Sequence, residues 1–364
     1  MKKALFAATA LAAALFSTIA SAQERVVNVY NWSDYIDSTI LEDFTKETGI
    51  KVVYDVFDSN EILETKLLAG STGYDIVVPT GSFLARQISA GVFQKLDKTK
   101  LTNLSNMDSV VMDRLTKYDP GNEYAINYMW GTTGIGYNVK MVKERLGENA
   151  DMTTWASVMD PANLAKLADC GVMMLDTSDE ILPAALNYLG LNPDSQDKAD
   201  NEKAEEHLLK LRPSIRKFHS SEYINALANG DICVAVGWSG DIIQATGRAQ
   251  EAGAGVEIAY SIPKEGALMW FDNMAIPADA KNVAEAHEFM NYIMRPEVAA
   301  KASNYIQYAS GNKAAVALLD AAVRDNPSIY PDEATLNKLY TVSPKDQKTQ
   351  RILTRIWTTI VTGQ

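Results

Sequence analysis

Three short runs of this chain carry side chains suited to gripping a cation. Trp32-Ser33-Asp34-Tyr35 sets an indole, a hydroxyl, a carboxylate and a phenol side by side, poor material for a core and unusual for a plain connection. Gly237-Trp238-Ser239-Gly240-Asp241 repeats the tryptophan, serine and acid, and Trp270-Phe271-Asp272 offers two aromatic rings and another acid. Glu180 follows Leu175-Asp-Thr-Ser-Asp179, and Tyr305 and Tyr308 add two phenols. An organic ammonium needs charge-assisted hydrogen bonds from carboxylates, and an aromatic face adds roughly 0.5 to 2 kcal/mol per contact. A long diamine needs acids at both ends and flat apolar walls between them. Asp34 and Asp241 also stand just before predicted helices, where an aspartate can simply cap free amides. The adjacent tryptophans favour binding, since a cap needs no indole. Phe271 could equally face a core, Tyr305 and Tyr308 could be interface tyrosines, and Trp130, Trp155 and Trp357 are read as core.

The elements that must hold these groups alternate. Arg25 to Tyr30 reads as a strand, and Thr39-Ile-Leu-Glu42 as a capping box opening a helix that stops at Gly49. A strand from Ile50 to Phe57, a helix from Glu61 to Ala69, a strand from Tyr74 to Val78 and a helix from Ser82 to Ala90 follow. Such alternation predicts an α/β fold with mostly parallel sheets flanked by helices. Ligands of such sheets bind beyond the carboxyl ends of the strands, where Trp32 to Tyr35 and the Pro79-Thr80-Gly81-Ser82 turn fall. Gly230 to Val236 is a further strand running into Trp238. Gly131 to Asn138 reads as a crossover strand, and Glu257 to Ile262 and Leu268 to Ile276 as strands returning to the first lobe. The predicted division is a leader at 1–22, a first lobe of 23–133 with 256–305, and a second lobe of 134–255 with 306–364, joined by hinge crossovers.

Lys2 and Lys3 precede an apolar run that ends in Ala20-Ser21-Ala22, the pattern of a secretory signal peptide cleaved after Ala22. That predicts a protein outside the cytoplasm. Without Lys2 and Lys3 of the 34 basic residues, 32 remain against 46 acidic ones, a net charge near −14. Such a surface repels nucleic acid and anionic lipid and concentrates cations. The even pair Cys170 and Cys233 favours a disulfide in an oxidising compartment, the alternative being two buried free thiols. His207, His219 and His287 are scattered without metal spacing, and neither a nucleophile elbow nor a phosphate-binding fingerprint is present. The expectation is no metal, no cofactor and no catalytic residue. A secreted lyase or hydrolase using paired acids is the alternative, and an iron or anion receptor built on tyrosines a third reading.

Longer runs sharpen this: Tyr30-Asn-Trp-Ser-Asp-Tyr-Ile36, Lys51-Val-Val-Tyr-Asp-Val-Phe-Asp-Ser-Asn-Glu61, Leu68-Ala-Gly-Ser-Thr-Gly-Tyr-Asp75, Thr132-Thr-Gly-Ile-Gly-Tyr-Asn138, Phe218-His-Ser-Ser221 and Ala228-Asn-Gly-Asp-Ile-Cys-Val234. In these the whole mature chain resembles the periplasmic polyamine-binding proteins, receptors of ATP-binding-cassette importers for putrescine or spermidine. The resemblance implies a type II periplasmic-binding-protein clamp, monomeric, with a polyamine extended in its cleft and an inner-membrane permease as partner. It places Trp32, Ser33, Asp34, Tyr35 and Thr80 on the first lobe, joined by Trp270 and Asp272. Glu180, Trp238 and Asp241 face them from the second lobe, with Tyr308 near the hinge. Cys170 and Cys233 match a pair that putrescine-binding relatives bridge. Trp270, where putrescine binders tend to carry phenylalanine, favours spermidine, while Thr177, where spermidine binders carry aspartate, points the other way.

Overall fold

A computed structural model describes residues 25–253 and 255–364. The leader and its cleavage point lie outside the described residues. β1 (Val26–Trp32) pairs in parallel with β2 (Lys51–Phe57) and β3 (Ile76–Val77), linked through α1 (Ser38–Thr48) and α2 (Asn60–Ala69), and α3 (Gly81–Ser89) follows β3. The α1 cap differs from the capping box expected at Thr39 and Glu42. Asp37 takes the position, accepting from the Thr39 amide, and so caps the helix two residues earlier; Gly49 ends it with φ 70°.

The long β4 (Ala125–Asn138) carries the chain across. Its first half pairs antiparallel with β9 (Met269–Ala275) and β10 (Ala309–Ser310), and its second half with β7 (Val234–Trp238) and β8 (Ile258–Ser261). β5 (Val172–Met174) lies parallel to both β6 (Lys217–Phe218) and β7. The sheet order is β2-β1-β3-β9-β4-β7-β5-β6, parallel in each outer part and antiparallel where the returning strands join. Two α/β lobes thus share one crossover strand, which begins earlier than Gly131.

The cores follow this division. One gathers Val29, Phe44, Leu63 and Phe289, another Trp155, Leu182, Leu208 and Val236. A third, smaller core joins Trp130 and Phe271 to Ala315 and Val323. β8 does not return to the first lobe as expected, because it is register-paired to the far half of β4 and buries Ile258 in the second core. The helix Gln347–Thr362 lays Leu353, Ile356 and Ile360 on that same core. Cys170 and Cys233 are bonded within it, and the 63-residue separation makes the loop-closure contribution about 4 kcal/mol.

Candidate functional site

The strand ends meet at one cleft between the lobes. Of the eleven residues expected to bind, Trp32, Ser33, Tyr35, Thr80, Glu180, Trp238, Asp241, Trp270, Asp272 and Tyr308 line it. Asp34 does not. Its backbone sits in the left-handed region at φ 55°, a conformation aspartate tolerates, and its carboxylate lies 3.3 Å from Arg248 Nη2. It caps no helix either, since Asp37 holds that position. Tyr305 is 57% exposed and stands outside the cleft.

Asp272 is 5% exposed at the middle of β9. Thr80 Oγ1 donates to its Oδ1 at 2.6 Å and Tyr35 Oη to its Oδ2 at 2.8 Å. Thr80 occupies the N-cap position of α3 but makes no side-chain cap; its hydroxyl donates to Asp272 and accepts from Asn60 Nδ2. Burial raises the Asp272 carboxyl to about 7, against the two hydrogen bonds that pull it down.

Glu180 and Asp241 occupy equivalent places, each third in a helix that follows a strand. Glu180 lies in Ser178–Tyr188 and Asp241 in Ser239–Ala252. Thr133 Oγ1 and Trp238 Nε1 donate to Glu180, the latter at 3.3 Å. Tyr223 Oη and Tyr308 Oη donate to Asp241, each at 2.7 Å, and Tyr308 Oη accepts from the Asp241 amide. Asp241 therefore spends its carboxylate on phenols and not on a cap. Burial raises Glu180 to about 8 and Asp241 to about 6, with those hydrogen bonds opposing. The helix N-termini favour the ionised forms, so each acid sits between a positive dipole end and the cleft.

The walls are aromatic. Trp32 is pinned by its Nε1–H to the Val78 carbonyl at 2.9 Å and meets Trp238 edge-on with centroids 5.6 Å apart. Trp270 packs on Tyr308 at 5.2 Å and Trp238 at 6.5 Å, and its Nε1–H is buried without a partner. Ser33 Oγ donates to Asp58, another residue of the lining, at 2.7 Å. Phe271, 1% exposed, belongs to the third core and touches the cleft lining; Trp130 and Trp155 are core, while Trp357 is half-buried with its Nε1 on Asp176.

Two glycines make this packing possible. A Cβ at Gly131 would lie 2.6 Å from the Trp270 ring, and one at Gly240 would overlap Tyr308. Sequence reading missed both, together with Tyr223 and Thr133, whose contacts reach across the fold. Among the described residues no His, Cys, Asp or Glu group has the makings of a metal site. Asp272, Glu180 and Asp241 have no salt bridge to lysine or arginine among those residues. Three buried carboxylates without a basic partner, walled by three indoles, form a site complementary to positive charge.

Residues 39–331 match the model of the bacterial extracellular solute-binding proteins. The chain belongs to that family. This solute-binding protein is 54% identical over 359 residues to the putrescine-binding periplasmic protein PotF of Escherichia coli, covering 98% of this chain and 96% of that one. It is 36% identical over 335 residues to the spermidine/putrescine-binding periplasmic protein of Salmonella typhimurium, covering 92% and 91%. A solved structure described as a putative spermidine/putrescine ABC transporter from Listeria monocytogenes superposes with TM-score 0.83 at 33% identity, over 92% of this chain and 98% of that one. The fold is the two-lobed clamp of type II periplasmic binding proteins, and the protein is a solute receptor and not an enzyme.

Proposed function

We propose that this receptor captures a polyamine between its lobes, spermidine before putrescine, and delivers it to an ATP-binding-cassette importer. The observation that carries the reading is the trio Asp272, Glu180 and Asp241, buried and without a salt bridge to a base among the described residues, between Trp32, Trp238 and Trp270. A protonated amine satisfies such carboxylates, and its methylenes suit flat indole walls. The spermidine preference rests on the breadth of the Trp270 wall. The relatives at 54% identity are named for putrescine, and that ligand is the competing choice. Ser33, Asp34, Tyr35, Thr80 and Tyr308 complete the ligand-binding set as orienting groups, Asp34 standing beside Arg248.

The protein works in the periplasm after cleavage at Ala22. In place of the expected lobes, 23–133 with 256–305 and 134–255 with 306–364, we propose 25–133 with 268–342 as the first and 134–267 with the helix Gln347–Thr362 as the second, a division that core packing supports. Calorimetric titration of the mature protein with putrescine, cadaverine, spermidine and spermine tests the ligand reading. Saturable binding of at least one, with spermidine tightest, is expected. No heat with any of the four would refute a polyamine ligand, and putrescine tightest would refute the order.

A further inference from the structure

One acid of the cleft has no place among the three carboxylates described above. Asp179 is the second residue of the helix Ser178–Tyr188 and lines the cleft beside Thr177. It is 9% exposed, and its Oδ1 has no hydrogen-bond partner among the described residues. A first-turn position explains an acid through the helix dipole, but it does not explain a buried bare oxygen.

Neighbouring cations do not account for it either. Burial raises the Asp179 carboxyl, and Arg86 and Lys345 act through space to lower it. Both are committed elsewhere: Arg86 Nε lies 2.9 Å from Glu64 and Lys345 Nζ 3.0 Å from Asp194. On the other lobe, in the first turn of α2, the exposed Glu61 also lines the cleft; the Asp179 charge raises its carboxyl, and Arg86 acts on both acids to lower them. Two like charges approaching from opposite lobes oppose closure, and beside the Arg86 guanidinium already held by Glu64 an added cation between them would relieve that repulsion further.

We propose that Asp179, with Glu61 across from it, forms a separate ammonium subsite that takes the additional amine of a polyamine longer than a diamine. Asp272, Glu180 and Asp241 then hold the diamine portion. The inference rests on the polyamine reading above and extends it to a triamine.

The test is the ratio of spermidine to putrescine affinity, measured by calorimetry on the mature wild type, Asp179→Asn and Glu61→Gln. Asp179→Asn is expected to lower that ratio about tenfold or more, the scale of losing one desolvated charge partner, and Glu61→Gln to lower it in the same direction by less. Thermal unfolding without ligand checks that each variant is folded. An unchanged ratio in Asp179→Asn, whether both affinities hold or fall together, overturns the subsite. Wild-type protein that binds putrescine but excludes spermidine overturns the subsite alone. Wild-type protein that binds neither overturns the polyamine reading and the subsite with it.

Discussion

Asp272 has two hydroxyl donors and no cation, and a carboxylate so placed is held at a cost that a ligand can remove. Replacing it with asparagine keeps the shape and deletes the charge. Asp272→Asn should weaken polyamine binding by about 2 to 5 kcal/mol, the range for truncating one side of a buried charged pair. An unchanged dissociation constant in calorimetry would reduce Asp272 to an anchor for Tyr35 and Thr80. At this scale the sequence was a partial guide. Trp32, Trp238 and Asp241 were legible because tryptophan beside an acid at a strand end is poor core material. Asp34 stands apart from them, its left-handed backbone setting the carboxylate beside Arg248 and outside the cleft lining, while Tyr35 reaches Asp272. Tyr223, Thr133 and Asp179 gave no local signal, since what places the first two is contact with distant residues, and what marks the third is a missing partner.

The elements deliver these side chains by one repeated device. A strand ends, the N-cap residue faces the cleft, and the third helical residue is an acid, as at Glu180 and Asp241. The strand and helix alternation that supports this was readable from apolar periodicity and glycine stops, with boundaries shifted by a residue or two. Less readable was the length of β4, because its two halves belong to different lobes and only pairing with β9 and β7 unites them. The pairing of β8 with the second half was missed for the same reason. Gly240 shows how an element's smallest residue can decide the site, since its missing side chain leaves the place where the Tyr308 ring lies. Gly240→Ala should push Tyr308 off Asp241, cut affinity for every polyamine by about tenfold, and lower stability by about 1 to 3 kcal/mol through overpacking. Calorimetry together with denaturant unfolding checks both arms, and wild-type values in each would show that Tyr308 relaxes without consequence.

Over the whole molecule, contacts across the cleft join the lobes: Trp32 meets Trp238, Asp34 meets Arg248, and Arg86 Nη1 donates to Gln350 Oε1 at 3.2 Å. Within this closed arrangement the carboxyls of Asp241, Asp272 and Glu180 are raised by burial to about 6, 7 and 8. Unfolded, they would titrate near their ordinary values of 3.8 and 4.5. Between roughly pH 4 and pH 8 the unfolded chain therefore binds fewer protons than the folded one, and the contribution of these groups to stability falls as pH rises. The ligand reverses that dependence. Polyamine amines stay protonated throughout this range, as lysine does with a pKa of about 10.4, so binding favours ionised carboxylates and weakens as pH falls. Melting temperature without ligand should rise as pH is lowered from about 8 to about 5, while affinity for spermidine falls over the same interval. Opposite slopes separate this mechanism from general acid destabilisation, which would lower both together. Exposed acids held low by bases, such as Asp151 at about 2 beside Lys264, lose their contribution only at more acidic pH and leave the interval undisturbed. Differential scanning calorimetry and titration calorimetry at matched ionic strength measure the two slopes. Affinity independent of pH across the interval would mean that the three carboxyls are already ionised in the free receptor, and the burial argument for a cation-seeking cleft would fail.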